Sequence, residues 1–378
     1  MKPIYLDYNA TTPIAPEVVE AMKPFLEDNF GNPSSKHWYG IQVKKAVEFA
    51  RKQIADLIDA NLDEIIFTSG GTESNNFAIK GIAFAHKNRG NHIITSSVEH
   101  PAVSNVCKFL ASQGFDITYL PVNKFGQINP EDVEKVITSK TILISIMHAN
   151  NEVGTIQPIS RISKIAKKNN IFFHSDAAQS VGKIPVNVNE MGIDLLSIAG
   201  HKLYAPKGIG ALYIRRGTKL QKLIHGANHE QNLRAGTENV FGIVGLGKAC
   251  EIAKRDLDKN FKYMKKMRDR LHHKLKNSNL NFRLNGHPEK SLPNTLNLSF
   301  FKIDASDALF KMPDIAASAG AACHSNKVET SAVLKAMKIS PEYSMGTIRF
   351  SVGKFTTENE IDDAAEIITK IIGKFQLN

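Results

Sequence analysis

From Asp63 to about Gly217 the chain alternates short β-rich runs with runs of helical period. EIIFTS precedes a helical pattern from Thr72, and HIITSS precedes one from Pro101. DITYLPV leads to a helix opened by Pro130, and ILISIMH to ISRISKIAKKNN. IFFHSD, DLLSIAG and GALYIRR close the series. ILISIM and IIF are continuously apolar rather than alternating, as expected of strands covered by helices on both faces. This alternation predicts an α/β unit with a mainly parallel sheet, whose sites form beyond the carboxyl ends of the strands.

After about Val240 a charged helical stretch runs to roughly Lys276, and the pattern changes. NTLNLSF and TIRFSVGKF read as strands, SAVLKAMK and ENEIDDAAEIITKII as helices. Thr357 with Glu360 three residues later is a capping-box signature for the last helix. The expected organisation is a large α/β domain over residues 15–255 and a smaller α+β domain built from 1–14 and 256–378. There are no repeats or low-complexity tracts.

Composition narrows the classes. The 378 residues are 42% hydrophobic and 22% charged, a globular balance, and the length exceeds one ordinary domain. No run approaches the roughly 18 apolar residues needed to span a bilayer, and MKPIYLDYNATTP has no secretory pattern. No membrane association is expected. Three cysteines form no disulfide framework, which points to a reducing cytoplasm. The net charge of +11 comes from scattered lysines without interleaved aromatics. A solvated surface, or a face for an acidic partner, fits better than a nucleic-acid-binding protein.

Cys107 and Cys250 lie in helical apolar patterns and read as core residues. Cys323, in AASAGAACHS, is surrounded by residues with almost no side chain, which leaves a sulfur open to approach. His324 beside it reads as an exposed loop residue, or as a source of positive charge for a thiolate.

Four strand-end motifs carry further chemistry. In TSGGTESNN the free N–H groups after Gly70-Gly71 and the Thr72 hydroxyl suit a phosphate; the GK[ST] of a nucleotide P-loop is missing. In HSDAAQS, Asp176 reads either as a helix cap or as the acid for a protonated ring nitrogen, with Gln179 on a neighbouring oxygen. Lys202 in SIAGHKLYAPKG sits where desolvation would lower its pKa and make it a Schiff-base lysine, with His201 near an anion. His100 in SSVEHPAVS is either a hydrogen-bonded structural residue or a ring that stacks on a flat cofactor and shuttles protons. A phosphate cradle, an acid, a lysine and a stacking ring together match the needs of pyridoxal phosphate.

With these motifs the chain resembles the cysteine desulfurases, pyridoxal-phosphate enzymes of the fold type I transferases. The resemblance runs from YLDYNATTP to TIRFSVGKFTTENEI through FGNPSS, TSGGTESNN, SSVEHPAV, MHANNEVGT, HSDAAQ, GHKLYAPKGIGALY, RAGTEN and GAACHS. The segment between Cys323 and SAVLKAM resembles the long-loop group. The resemblance implies that Lys202 binds the cofactor, Asp176 meets its ring nitrogen, Gln179 and Asn151 its ring oxygen, and His100 its face. It implies that Gly71, Thr72 and His201 hold the phosphate, with Thr237 reaching it from the other subunit of a homodimer. Arg349 and Asn32 would bind the substrate carboxylate. Cys323 would take sulfur from L-cysteine as a persulfide, leaving alanine, and pass it to an acceptor protein for iron–sulfur clusters or tRNA thiolation; no metal is implied. Ala199 and Ala205 stand where many members have serine and glycine, and HGANHE replaces a glycine-rich run. GAACHS and Ala199 also resemble selenocysteine lyases, the first alternative; an aminotransferase is the second.

Overall fold

A computed structural model describes residues 3–324 and 327–377, with backbone alone for 321–324 and 327–329. Its centre is a seven-stranded sheet in the spatial order Ile65–Thr68, Gly210–Ile214, Leu195–Ala199, Phe172–Asp176, Thr141–Ser145, His92–Ser96, Asp116–Leu120. Six strands run one way. Gly210–Ile214 runs against both its neighbours, so the sheet is mainly parallel, as expected, with one reversed strand. The inner strands are buried along nearly their whole length, whereas the edge strand Asp116–Leu120 exposes Asp116 and Tyr119. A polar edge of this kind discourages pairing with another chain.

Helices cover both faces of the sheet. Gly71–Ala85 and Pro101–Ser112 bring Phe77, Ile79, Ile82, Val103, Val106 and Leu110 to one face. Trp38–Ile58, Ile159–Lys168 and the start of Val240–Lys276 close the other. Cys107 and Cys250 are free and buried in these layers.

Val240–Lys276 is one helix of 37 residues. Its first half adds Ile243, Leu246 and Ala249 to the core of the large sheet. Its second half adds Met264, Met267, Leu271 and Leu275 to a separate core with Leu296, Leu298, Phe350 and Ile368. That second core lines an antiparallel sheet in the order Ser318–Ala319, Thr347–Ser351, Thr295–Phe300, Phe282–Asn285. The N-terminal strand Ile4–Tyr5 joins this part by pairing parallel with Ile315–Ala316, and Leu6 is buried in its core. At the start of Glu358–Leu377, Thr357 N donates to Glu360 Oε2 (2.7 Å) and Glu360 N donates to Thr357 Oγ1 (3.2 Å), the reciprocal bonds of a capping box.

The segment expected to be a loop after Cys323 differs. The backbone of Ala321–His324 pairs antiparallel with Lys327–Thr330, Cys323 opposite Val328. Pairing satisfies backbone groups that a loop would leave to water, and β-branched Val328 and Thr330 favour extended backbone. Both ends are tied down: Gly320 N donates to Thr347 O (2.7 Å) and Ser331 N to Gly320 O (3.1 Å). The side chains of Cys323 and His324 lie outside the described residues.

A buried ion pair fastens the loop that carries Thr237. Arg51 Nη1 and Nη2 donate to Glu230 Oε2 and Oε1 at 2.8 Å each, and Phe67 N donates to Glu230 Oε2 at 2.7 Å. Among the described residues no helix is long and apolar enough to cross a membrane.

Candidate active site

The carboxyl ends of five of the six co-directional strands, with the N-terminal segment and the strand Thr347–Ser351, enclose a cavity of about 380 Å³. Nine of the residues singled out in the sequence line it: Gly71, Thr72, His100, Asn151, Asp176, Gln179, His201, Lys202 and Arg349. Two others do not. Asn32 is exposed, its side chain accepting from Ser34 N (2.9 Å), and Thr237 is exposed beside a separate cavity with Gly236 and Glu238.

The strand Ile65–Thr68 ends in Ser69-Gly70, and Gly70 takes φ +147°, a conformation side chains disfavour. That turn lets the helix begin at Gly71. The N–H groups of its first turn have no intrahelical partners and open on the cavity side where Gly71, Thr72 and His201 meet. Burial, then the charges of Lys202 and Lys207, push the His201 pKa down to about 4, so the ring is neutral.

Asp176 closes the strand Phe172–Asp176. Its Oδ1 accepts from Ala178 N (2.9 Å) and its Oδ2 from Asn75 Nδ2 (2.7 Å). These bonds fix the orientation of the carboxylate. Gln179, one turn on, donates through Nε2 to Asn9 O (3.0 Å) and accepts at Oε1 from Lys183 Nζ (2.7 Å). Lys183 is fully buried, and burial holds its pKa well below the usual lysine range.

Lys202 ends a short helical turn after Leu195–Ala199 and donates to Asn9 O and Ala10 O, each at 2.6 Å. Burial and then the Arg349 guanidinium lower its pKa to about 8. His100 caps Pro101–Ser112, its Nδ1 accepting from Ala102 N (3.1 Å), which puts the proton of the neutral ring on Nε2. The walls around the ring lower its pKa through desolvation.

Four polar residues were missed in the sequence. Asn75 orients Asp176. Asn9 gathers Lys202, Gln179 and Lys183, and its Nδ2 donates to Thr295 Oγ1 (2.8 Å). Lys183 orients Gln179, and Asp7 pairs with Arg349 (2.7 Å). Asn75 lies one helical turn beyond Gly71 in a motif already noted, so helical period could have found it. The others meet partners 170 or more residues away, apart from the Lys183–Gln179 bond.

An aminotransferase class-V family model matches residues 4–363. The chain belongs to the class-V aminotransferase family. It is 52% identical over 375 residues to the cysteine desulfurase IscS of Dictyoglomus turgidum, covering 99% of this chain and 95% of the relative. A solved NifS-like protein superposes with a TM-score of 0.92 at 38% identity, covering all of both chains. A structure of SspA in complex with cysteine gives 0.83 at 40% identity, over 93% of this chain and 99% of that one.

Class-V aminotransferases use pyridoxal phosphate, and the cavity fits it. An acid fixed by two hydrogen bonds, an amine of lowered pKa and a helix start with open N–H groups all face one space, of a size usual for small-ligand sites. Only the free base of Lys202 can attack an aldehyde. Reaction of cofactor-free protein with pyridoxal phosphate should therefore rise with pH to a midpoint near 8. Arg349→Met should move that midpoint upward; borohydride trapping at a series of pH values measures both.

Proposed function

We propose that this cavity is where the protein, a pyridoxal-phosphate-dependent cysteine desulfurase, turns L-cysteine into L-alanine and loads the sulfur on Cys323. The observation that carries the site assignment is the meeting of Lys202, Asp176 and the Gly71 helix start in one cavity. Lys202 is the attachment point, and Asp176 pairs with the ring nitrogen. Gln179 and Asn151 meet the ring oxygen, His100 lies on the ring face, and Gly71, Thr72 and His201 hold the phosphate. When bound, the cofactor supplies an electron sink for bonds at the amino acid's α- and β-carbons.

The chain's own residues do the rest. Arg349 offers donors for the substrate carboxylate, with Asn32 as an auxiliary from an exposed loop. Lys202 and His100 are the groups at the cavity able to carry protons at working pH. Cys323 accepts sulfur: the substrate carbon–sulfur bond breaks, a sulfur–sulfur bond forms, and the carbon takes a proton. Two electrons given up by the two sulfurs reduce that carbon, so cysteine plus thiol balances alanine plus persulfide.

Asn32 and Thr237 lie outside the cavity of one chain. Beside Asn32, Phe30, Trp38 and Tyr39 are 77%, 63% and 50% exposed. This supports a homodimer in which a second copy covers these aromatics and brings Thr237 to the phosphate. The charge of +11 supports an acidic acceptor protein in iron–sulfur or tRNA-thiolation pathways. Buried free Cys107 and Cys250 accord with a cytoplasmic setting.

With L-cysteine and a thiol reductant, the holoenzyme should release alanine and sulfide one to one. A 2-oxo acid in place of alanine would mark an aminotransferase. Turnover confined to L-selenocysteine would mark a selenocysteine lyase.

A further inference from the structure

Arg349 faces the cavity from the strand Thr347–Ser351 with its five N–H donors unevenly engaged. Nη1 donates to Asn151 O (3.0 Å). Nη2 donates to Asp7 Oδ1 (2.7 Å) and Ser318 Oγ (2.8 Å), which occupies both of its hydrogens. Nε is buried and has no partner among the described residues. A carboxylate gripped by two parallel bonds on this edge of a guanidinium needs Nε–H and the adjacent Nη2–H together. The first is shut off from the cavity by burial, and the second is taken.

Asp7 is not a wall of the cavity. It is held behind Arg349 by a backbone bridge to Ser351 and by Ser318 Oγ, which donates to its Oδ1 (2.8 Å). Other titratable groups act on this cluster. Lys183 and Lys202 feel the charge of Arg349, Tyr5 adjoins Asp7, and burial raises the Glu152 pKa. Among the described residues Asp7 is the acid in ion-pair contact with Arg349.

We propose that Asp7 is a positioning residue that, with Ser318, holds Arg349 Nη2 back from an amino-acid carboxylate, thereby limiting how tightly substrate and product are held. The proposal rests on the reading of Arg349 as the carboxylate partner. An incoming carboxylate must draw Nη2 from Ser318 or share it with Asp7, at the cost of repulsion between two anions. Weaker holding favours release of alanine after each turnover.

The test is spectral titration of the holoenzyme with L-alanine and with ethylamine, which lacks the carboxylate. Asp7→Asn keeps an acceptor for Nη2 but removes the charge. It should lower the alanine Kd by about 3–10-fold and leave ethylamine unchanged. Ser318→Ala, which vacates one Nη2 hydrogen and spares Asp7, should tighten alanine roughly twofold and covers the case in which Asp7→Asn does not fold. Because the Asp7 charge raises the Lys202 pKa, cofactor-free Asp7→Asn should also react with pyridoxal phosphate at a midpoint below 8. Unchanged or weaker alanine binding in both variants, with Arg349→Lys weakening it, overturns the role of Asp7 and leaves the clamp reading intact. Alanine binding unaffected by Arg349→Lys overturns the clamp reading instead.

Discussion

Lys202→Ala should lower alanine formation from L-cysteine by at least about 10³-fold, because it removes both the proposed attachment point and a proposed proton carrier. The Lys202 amine is held by two backbone carbonyls, Asn9 O and Ala10 O. Burial and then Arg349 lower its pKa, against smaller opposing contributions from the Asp7 and Asp176 charges. The proposed phosphate and ring contacts come from other side chains, so the variant should still take up pyridoxal phosphate. Borohydride should no longer fix it to the protein. A reducible link on another lysine, with activity kept, would refute the assignment; Lys183 is the control because it is a second buried amine at the same cluster.

Cys323→Ala should give the second large loss, about 10²-fold or more in alanine formed from L-cysteine. The cofactor spectrum and the Lys202 midpoint should stay as they are, because Lys202 and Asp176 keep their own partners. This pattern separates a missing sulfur acceptor from a damaged site. Full activity on cysteine without this thiol would remove Cys323 from the chemistry.

Much of the fold was legible because helical and strand periods differ. The strands from Ile65 to Ile214 and the helices opened by Pro101 and Pro130 lie where the alternation puts them. The reversal of Gly210–Ile214 was not legible: direction depends on which neighbours a strand joins, and its apolar run is the same either way. The proposed domain limit at 255/256 falls within a continuous helix, where periodicity has nothing to mark. The paired backbone of 321–324 and 327–330 escaped for a related reason, since small residues carry little pattern.

At the site, residues announced by a strand end were found: Lys202, Asp176, His100 and the Gly71 turn all follow a strand. Those whose role comes from a distant partner were not. Asp7 meets Arg349 across 342 positions, and Asn9 meets Thr295 across 286. No local spacing records such pairs. Asn32 and Thr237 carry a different lesson. Their motifs were noted, yet each lies on an exposed surface of one chain, outside the cavity.

The most direct measurement is mass spectrometry of the holoenzyme after brief exposure to L-cysteine bearing heavy sulfur, without reductant. One labelled sulfur atom on the peptide that contains Cys323, absent from the Cys323→Ala protein and from Lys202→Ala, is the result predicted here. Label on Cys107 or Cys250, or alanine formed with no label on any cysteine, would contradict it.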